Sequence, residues 1–135
     1  YSMNPPEGCI CIEDEVYEYE GVRFVGLGGS NRYKPGKNQY TEKQMAHRAK
    51  KLKWKIWRKK GFDILVTHSP ARGLNDGEDM CHKGFEIFNK LIEEYKPKYF
   101  VHGHVHMCYG RNYKRIDHVG DTTVINAYEK YILEL

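Results

Sequence analysis

The alternation of apolar and polar positions predicts strands in the first part of the chain. EVYEYE at 15–20 and VRFVGLGG at 22–29 flank Gly21 and are rich in β-branched and aromatic residues, which predicts a hairpin. CICI at 9–12 also predicts a strand, with Cys9 and Cys11 on one face.

Two longer apolar runs, FDILVTHSP at 62–70 and KYFVHGHVH at 98–106, predict buried strands in the middle of the chain. Three later segments have a strand-like pattern as well. They are YGRNYKRI at 109–116, TTVINAY at 122–128 and KYILEL at 130–135.

Helical spacing is clearest in segment 41–60, where apolar residues recur every three or four positions. This stripe consists of Met45, Ala49, Leu52 and Ile56. Thr41 is the predicted N-cap, and Gly61 is predicted to end the helix. A second helix is predicted from about Met80 to Tyr95, with Pro97 stopping it. The strand–helix–strand order predicts an α/β fold with a mixed β-sheet and flanking helices.

Composition limits the class of protein. A chain of 135 residues has the size of one domain, and 40% hydrophobic residues are typical of a globular protein. No apolar run is long enough to span a membrane, so no membrane partner is expected. The four cysteines, Cys9, Cys11, Cys81 and Cys108, include no C-x-x-C pair. We interpret them as ordinary core residues or reduced thiols and expect a cytoplasmic location.

Positive charge is concentrated in one predicted helix. Segment 41–60 holds nine Lys and Arg against the single acid Glu42, a balance of +8, so the rest of the chain is −4 within a net charge of +4. Such a segment is usually a solvated helix face. The alternative function is a phosphate- or nucleic-acid-binding module that uses this basic helix.

Histidines follow the two buried strands at their carboxyl ends. His68 ends the first, while His104 and His106 end the second. Residues two apart on an extended chain project to one side, so the last two rings and His68 are predicted to converge on one pocket. Neutral imidazoles are good ligands for a divalent transition metal. Gly103 is expected to permit the turn that directs these rings inward, and His102 is expected to pack inside the strand.

These residues also resemble a known family. DILVTHSP, then HKGFEIFNKLI at 82–92, YFVHGHVH, and DTTVINAY at 121–128 are similar to the C-terminal half of the calcineurin-like metallophosphoesterases. The resemblance implies an α/β/β/α sandwich that hydrolyses a phosphomonoester or phosphodiester at a dinuclear metal centre. It implies that His68 and His104 bind one metal and His106 the other, with Mn, Fe, Zn or Ni as candidate ions.

Further roles are expected for residues near these histidines. His82, at the start of the second predicted helix, is a candidate for contact with the substrate phosphate. Asn126 is expected to support the ligands or the local structure. Asp76, Glu78 and Asp79 are interpreted as a solvated loop, since the resemblance implies that this loop shapes the substrate mouth. The alternative is that they bring a carboxylate toward the metal.

The chain departs from the family in its first half. The family's Asp-x-His, Gly-Asp and Gly-Asn-His motifs do not occur, and YSMNPPEG is similar to the sequence that follows the last of them. The resemblance therefore implies that residues 1–135 are the C-terminal portion of one domain and contain no catalytic residue of their own. Alone, the chain is expected to bind at most one metal and to be inactive. A missing N-terminal half or a second chain would complete the sheet, and an exposed edge favours a homodimer.

Overall fold

The computed structural model describes residues 4–107 and 114–135 as ten elements in the order of an α/β protein. They are β1 (Val16–Tyr19), β2 (Val22–Leu27), β3 (Ser30–Asn31), β4 (Gln39–Tyr40), α1 (Glu42–Arg58), β5 (Ile64–Thr67), α2 (Glu86–Tyr95), β6 (Tyr99–His102), β7 (Ile116–Val119) and β8 (Thr122–Asn126). In the described ranges, neither helix has the length and apolar character needed to cross a bilayer.

The main sheet has six strands in the order β1-β2-β5-β6-β8-β7. Its four central strands are parallel, while β1 and β7 pair antiparallel at the two edges. This mixed sheet with flanking helices confirms the predicted fold class. The short strands β3 and β4 form a separate parallel pair.

Helix α1 has the boundaries that its sequence predicts. Thr41 caps the helix, since its hydroxyl accepts a hydrogen bond from the Gln44 backbone while the Gln44 side chain accepts one from Thr41 N–H. The predicted apolar stripe is the buried face, and all four of its residues are at most 2% exposed. The helix ends at Arg58, and Gly61 follows with a positive φ of 104°.

Both helices pack on one face of the sheet. The crossovers from β2 to β5 and from β5 to β6 step in the same direction along the sheet, and right-handed crossovers in one direction place their helices on the same face. The strands contribute Val25, Leu65, Phe100 and Val124 to this core. Side chains on the other face of these strands are buried unevenly. Phe24, Val66, Tyr99 and Val101 are only half-buried, whereas Ile64 and Ile125 are at most 3% exposed. In the described part of the chain, this second face has no helix against it.

The predicted strand at CICI is wrong. Residues 9–12 are irregular, and both Cys9 and Cys11 are exposed. Both edges of β2 are already paired, with β1 and β5, so this segment has no free strand beside it. Glu13, just after this segment, forms an isolated bridge to Gly26.

The second helix begins later than predicted, at Glu86 instead of Met80. Phe85 is extended, with φ −97° and ψ 133°, and its N–H donates to Pro70 O. Arg72 N–H in turn donates to Phe85 O. The end of the 80–85 segment therefore pairs with the chain after β5 instead of starting a helix.

Two of the last three predicted strands differ from the structure. YGRNYKRI contributes only Ile116 to β7, and its residues 109–113, like Cys108, lie outside the described residues. TTVINAY forms β8 as predicted. KYILEL is not a strand, because β6 and β7 already occupy both sides of β8.

Candidate metal centre

His68 and His104 lie at the carboxyl edge of the parallel strands, where the sequence places them. His68 directly follows β5, and His104 lies two residues after β6. Gly103 N–H donates to His68 O at 3.0 Å, which extends the pairing of the two chains beyond the strands. The parallel order of β5 and β6 therefore brings these two histidines together.

The two imidazoles are in direct contact. His68 Nε2 lies 2.9 Å from His104 Nδ1, and the rings meet edge to face at 61°. Imidazole nitrogens bind zinc at about 2.0–2.1 Å, which separates two nitrogens on one ion by roughly 2.9–3.4 Å. The pair therefore matches the spacing of two ligands on a single metal with little movement.

The turn that presents His104 differs from the predicted one. Gly103 does not have a positive φ, whereas His104 does, at 66°. Left-handed backbone is uncommon for residues other than glycine and occurs often at functional sites. Val105 N–H donates to Gly103 O at 2.8 Å, and the buried Val105 side chain fixes the turn in the interior.

The Cys81 carbonyl sets the tautomer of His104. His104 Nε2 lies 2.5 Å from Cys81 O, so that nitrogen carries the proton and Nδ1 keeps its lone pair toward His68. Burial lowers the pKa of both His68 and His104, and the neighbouring histidines lower each further. Both effects favour the neutral imidazole, which is the form that binds a metal.

His106 does not share this close contact, although it lies near enough to lower the pKa of both His68 and His104. The convergence of all three rings on one pocket stays a prediction. The strand ends at His102, and the turn at His104 breaks the alternation. The exposed His106 ring stacks on Tyr128 with 4.6 Å between centroids. In the described ranges the three histidines do not form a group with all ligand atoms within 4.8 Å. The assignment of His106 to a second metal stays a prediction.

His102 is packed, as expected. It is 1% exposed and its ring lies 5.4 Å from that of Phe100. Burial lowers its pKa to about 4, so the ring is neutral at pH 7.

Asn126 holds the turn that carries His104. Its fully buried side chain donates to Val105 O at 2.9 Å and accepts from Tyr128 N–H at 3.0 Å. The amide thus connects the end of β8 to the segment just after β6. These contacts support the structural role expected from the sequence.

His82 is not at a helix start, because α2 begins four residues later. Its Nδ1 lies 2.7 Å from Asp79 Oδ2, and its ring lies 5.3 Å from that of His104. Hydrogen bonds from Cys81 and His82 lower the pKa of the Asp79 carboxyl to about 2. Asp79, Cys81 and His82 form a compact cluster that we did not expect from the sequence. Their close spacing in DMCH at 79–82, where the predicted loop meets the predicted second helix, was the available signal.

Asp76 is not a solvated loop residue, contrary to expectation. Its side chain is 5% exposed and accepts hydrogen bonds from Gly73 N–H, Gly84 N–H and the Arg72 guanidinium. One carboxylate thereby joins both ends of the loop that carries His82.

A polar cleft opens beside His68. Its volume is about 340 Å³, within the range of small-ligand pockets. The lining includes Glu13, Ser30, Lys37, Asn38 and Gln39. The cleft therefore joins the candidate metal ligands to the loop after β2.

The fold is of the α/β class. The imidazoles that meet at the carboxyl edge of its mixed sheet form a candidate metal centre. The model of the calcineurin-like phosphoesterases matches residues 5–108, which is more than half of the chain. The chain therefore belongs to the calcineurin-like phosphoesterase family. Members of this family bind divalent metal ions.

Relatives occur in archaea and animals. An uncharacterized protein of Methanocaldococcus jannaschii is 29% identical over 126 residues, covering 88% of this chain and 54% of the relative. A UPF0046 protein of Caenorhabditis elegans is 29% identical, covering 88% of this chain and 41% of the relative. Metallophosphoesterase domain-containing protein 1 of Homo sapiens is 29% identical, covering 88% of this chain and 34% of the relative. The chain thus spans about half or less of these relatives.

Solved structures share the fold. The crystal structure of TT1561 of Thermus thermophilus matches with a TM-score of 0.56 at 15% identity, covering 87% of this chain and 48% of that chain. A second solved structure matches with a TM-score of 0.57 at 19% identity, covering 87% of this chain and 45% of that chain. At these identities the likeness concerns the fold alone.

Proposed function

We propose that this chain supplies part of the active site of a metal-dependent phosphoesterase that cleaves a phosphomonoester or phosphodiester. The observation that carries the proposal is the contact between His68 and His104 at the carboxyl edge of the sheet. Family membership supports the reaction class. The polar cleft beside His68, with Lys37 in its lining, is a suitable place for an anionic phosphate group.

Four histidines, His68, His82, His104 and His106, have a role in this proposal. His68 and His104 hold one divalent ion, His106 contributes to a second, and Asn126 and the Cys81 carbonyl keep His104 oriented. When bound, such a metal pair lowers the pKa of water and stabilises charge on the phosphoryl group. His82 donates a hydrogen bond to the substrate phosphate in this proposal, which its contact with Asp79 and its position near the His104 ring support.

The remaining ligands come from outside these residues. In the described part of the chain, no carboxylate contacts the His68–His104 pair, whereas the proposed dinuclear centre needs a bridging one. The relatives are longer than this chain, and the second sheet face has half-buried apolar side chains but, within the ranges described, no helix. We infer that additional polypeptide covers this face and completes the site, from the same protein or from a second copy.

The basic helix gives little support to the nucleic-acid-binding alternative. Its cations are partly used within the fold, in ion pairs of Arg48 with Glu13 and Asp14, Lys53 with Glu94, Lys55 with Glu15, and Lys59 with Glu18. Acidic residues just before β1, in β1 and in α2 thus pair with four of the nine cations of segment 41–60. We therefore favour the phosphoesterase.

The test is hydrolysis of a chromogenic phosphodiester and of a phosphomonoester by the full-length protein loaded with Mn²⁺. We expect His68→Ala and His104→Ala each to lower kcat/KM at least about 100-fold, since the metal loses a ligand. The matched control is His47→Ala, an exposed histidine on α1 that does not line the cleft. Equal activity in all four proteins would refute the proposal.

A further inference from the structure

We propose that Asp79, Cys81 and His82 form a second cation site, which binds a thiophilic divalent ion such as Zn²⁺. The three side chains offer a carboxylate oxygen, a sulfur and an imidazole nitrogen, all within 4.8 Å of one another. None of them is among the metal ligands that the family resemblance assigns. The site is therefore additional to the His68–His104 centre and does not depend on the proposed phosphoesterase activity.

The geometry suits a small ion of the zinc class. Asp79 Oδ2 lies 2.7 Å from His82 Nδ1 and 2.6 Å from Cys81 Sγ, while Sγ and Nδ1 are 3.3 Å apart. Tetrahedral zinc with ligands at about 2.0–2.3 Å separates its donor atoms by roughly 3.3–3.6 Å. These partly exposed side chains need to open by less than about 1 Å to reach that spacing. Three protein ligands leave the fourth position to water.

The backbone of the turn holds the donors together. Gly77 N–H donates to His82 O at 3.0 Å, and His82 N–H donates to Asp79 O at 3.2 Å. A Cβ at Gly77 would lie 2.6 Å from His82 Cβ and 2.7 Å from Asp79 Oδ1, so the turn closes this tightly only with glycine there. Asp76 fixes both ends of the same loop through Gly73 N–H and Gly84 N–H.

The donor set selects the class of ion. Thiolate and imidazole ligands favour Zn²⁺ and Co²⁺, whereas Mg²⁺ requires oxygen ligands in octahedral geometry. When the ion binds, the Cys81 thiol releases its proton to solvent, and the thiolate with the Asp79 carboxylate balances the two positive charges.

The second site is connected to the first through the backbone of one residue. Cys81 gives its carbonyl to His104 Nε2, and His82 brings its ring to 5.3 Å from that of His104. An ion held by the Cys81 sulfur therefore restrains the residue that orients His104.

The test measures alkylation of cysteines in the full-length wild-type protein with iodoacetamide, read by peptide mass spectrometry. We expect Zn²⁺ to slow alkylation of Cys81 at least about tenfold, because a bound thiolate is shielded, while Mg²⁺ has no effect. Cys9 and Cys11 are exposed and serve as internal controls whose rates do not change. Equal Cys81 rates with and without Zn²⁺ would overturn the proposal.

Variants separate this site from the phosphoesterase centre. His68→Ala with His104→Ala should keep the Zn²⁺ protection of Cys81 even though metal-dependent hydrolysis is lost. Asp79→Asn and His82→Ala should each weaken the protection at least about tenfold. In a background with every other cysteine changed to serine, Co²⁺ should give a thiolate charge-transfer band, which Cys81→Ser removes. Protection that survives both Asp79→Asn and His82→Ala would refute the three-residue site.

Discussion

His68 Nε2 and His104 Nδ1 lie 2.9 Å apart, although 36 residues separate them in the chain. The contact exists because β5 and β6 are neighbouring parallel strands, whose carboxyl ends meet at one edge of the sheet. The connecting segment, with the loop and α2, then supplies the Cys81 carbonyl that orients His104. Several expected outcomes follow from this arrangement.

The first concerns Asn126, whose amide bridges Val105 O and Tyr128 N–H. Asn126→Ala leaves a buried carbonyl and an amide without these partners, which we expect to cost about 2 kcal/mol in the free energy of unfolding. Metal affinity should fall about 10- to 100-fold, because the turn carrying His104 loosens. Urea unfolding and calorimetric Mn²⁺ titration of the full-length protein measure the two effects.

A matched control lies at the other end of the same strand. Thr122 is buried, and its hydroxyl donates to Pro97 O at 2.6 Å. Thr122→Val should lower stability by about 1 kcal/mol without changing metal affinity. If Asn126→Ala behaves like Thr122→Val, Asn126 does not position the metal ligands.

The second outcome concerns Gly84, which packs against the backbone after β5. A Cβ there would lie 2.4 Å from Ala71 C and 2.5 Å from Ala71 O. We expect Gly84→Ala to lower the free energy of unfolding by about 2 kcal/mol, since backbone atoms cannot give way easily. Gly36→Ala is the control, because its Cβ would only reach the flexible Gln39 side chain at 3.4 Å. Equal urea midpoints for the two variants would contradict this packing.

The third outcome is a pH dependence at the Arg23–Asp63 pair. Arg23 donates to Asp63 through Nε at 3.0 Å and through a terminal guanidinium nitrogen at 2.8 Å. These hydrogen bonds lower the pKa of the Asp63 carboxyl, with burial opposing them. A carboxyl with a lowered folded-state pKa stabilises the fold above its unfolded pKa of about 3.9 and loses that contribution as pH falls through its folded pKa.

Asp63→Asn should therefore lower the free energy of unfolding at pH 7 by about 1 kcal/mol, a small value because the Asp63 side chain is 35% exposed. The difference from wild type should shrink steadily as the pH falls below about 3.9, because the wild-type carboxyl then becomes protonated. Asp121→Asn, at an exposed site before β8, should change stability by less than about 0.5 kcal/mol at either end of this pH range. A pH-independent Asp63→Asn effect would show that the charge does not contribute.

Much of the fold was predictable because local pattern and tertiary structure agree. The stripe on α1 came from helical spacing, and two apolar runs predicted β5 and β6, although β6 ends at His102 and not at His106 as predicted. Adjacency of these strands in a parallel sheet then predicted that His68 lies near His104. The local sequence pattern gave wrong predictions where pairing between distant segments determines whether a stretch becomes a strand. CICI and KYILEL have strand-like sequences, but in the described part of the chain neither segment joins a sheet.

The geometry of the candidate metal centre was less predictable from the sequence, because turns position its side chains. Alternation of His102, His104 and His106 assumed an extended chain, and the positive φ of His104 ends that alternation. The role of the Cys81 carbonyl depends on how Asp76 and Gly84 hold the loop between β5 and α2 against the chain that directly follows β5. No periodicity in the sequence encodes such a backbone contact.

The fourth outcome tests whether additional polypeptide covers the second sheet face. A cysteine placed at the half-buried Val101 should react with a thiol reagent at least about tenfold more slowly than one placed at the exposed Asp121 in the full-length protein. The reason is that a covered face opens only rarely. Equal reaction rates, measured by peptide mass spectrometry, would show that the face is open to solvent.

The most direct test of the central claim is the location of the bound metal. Anomalous diffraction from crystals of the full-length protein grown with Mn²⁺ should show an ion at about 2.0–2.4 Å from both His68 Nε2 and His104 Nδ1. The result that would contradict the account is a set of metal peaks elsewhere, with His68 and His104 still hydrogen-bonded to each other.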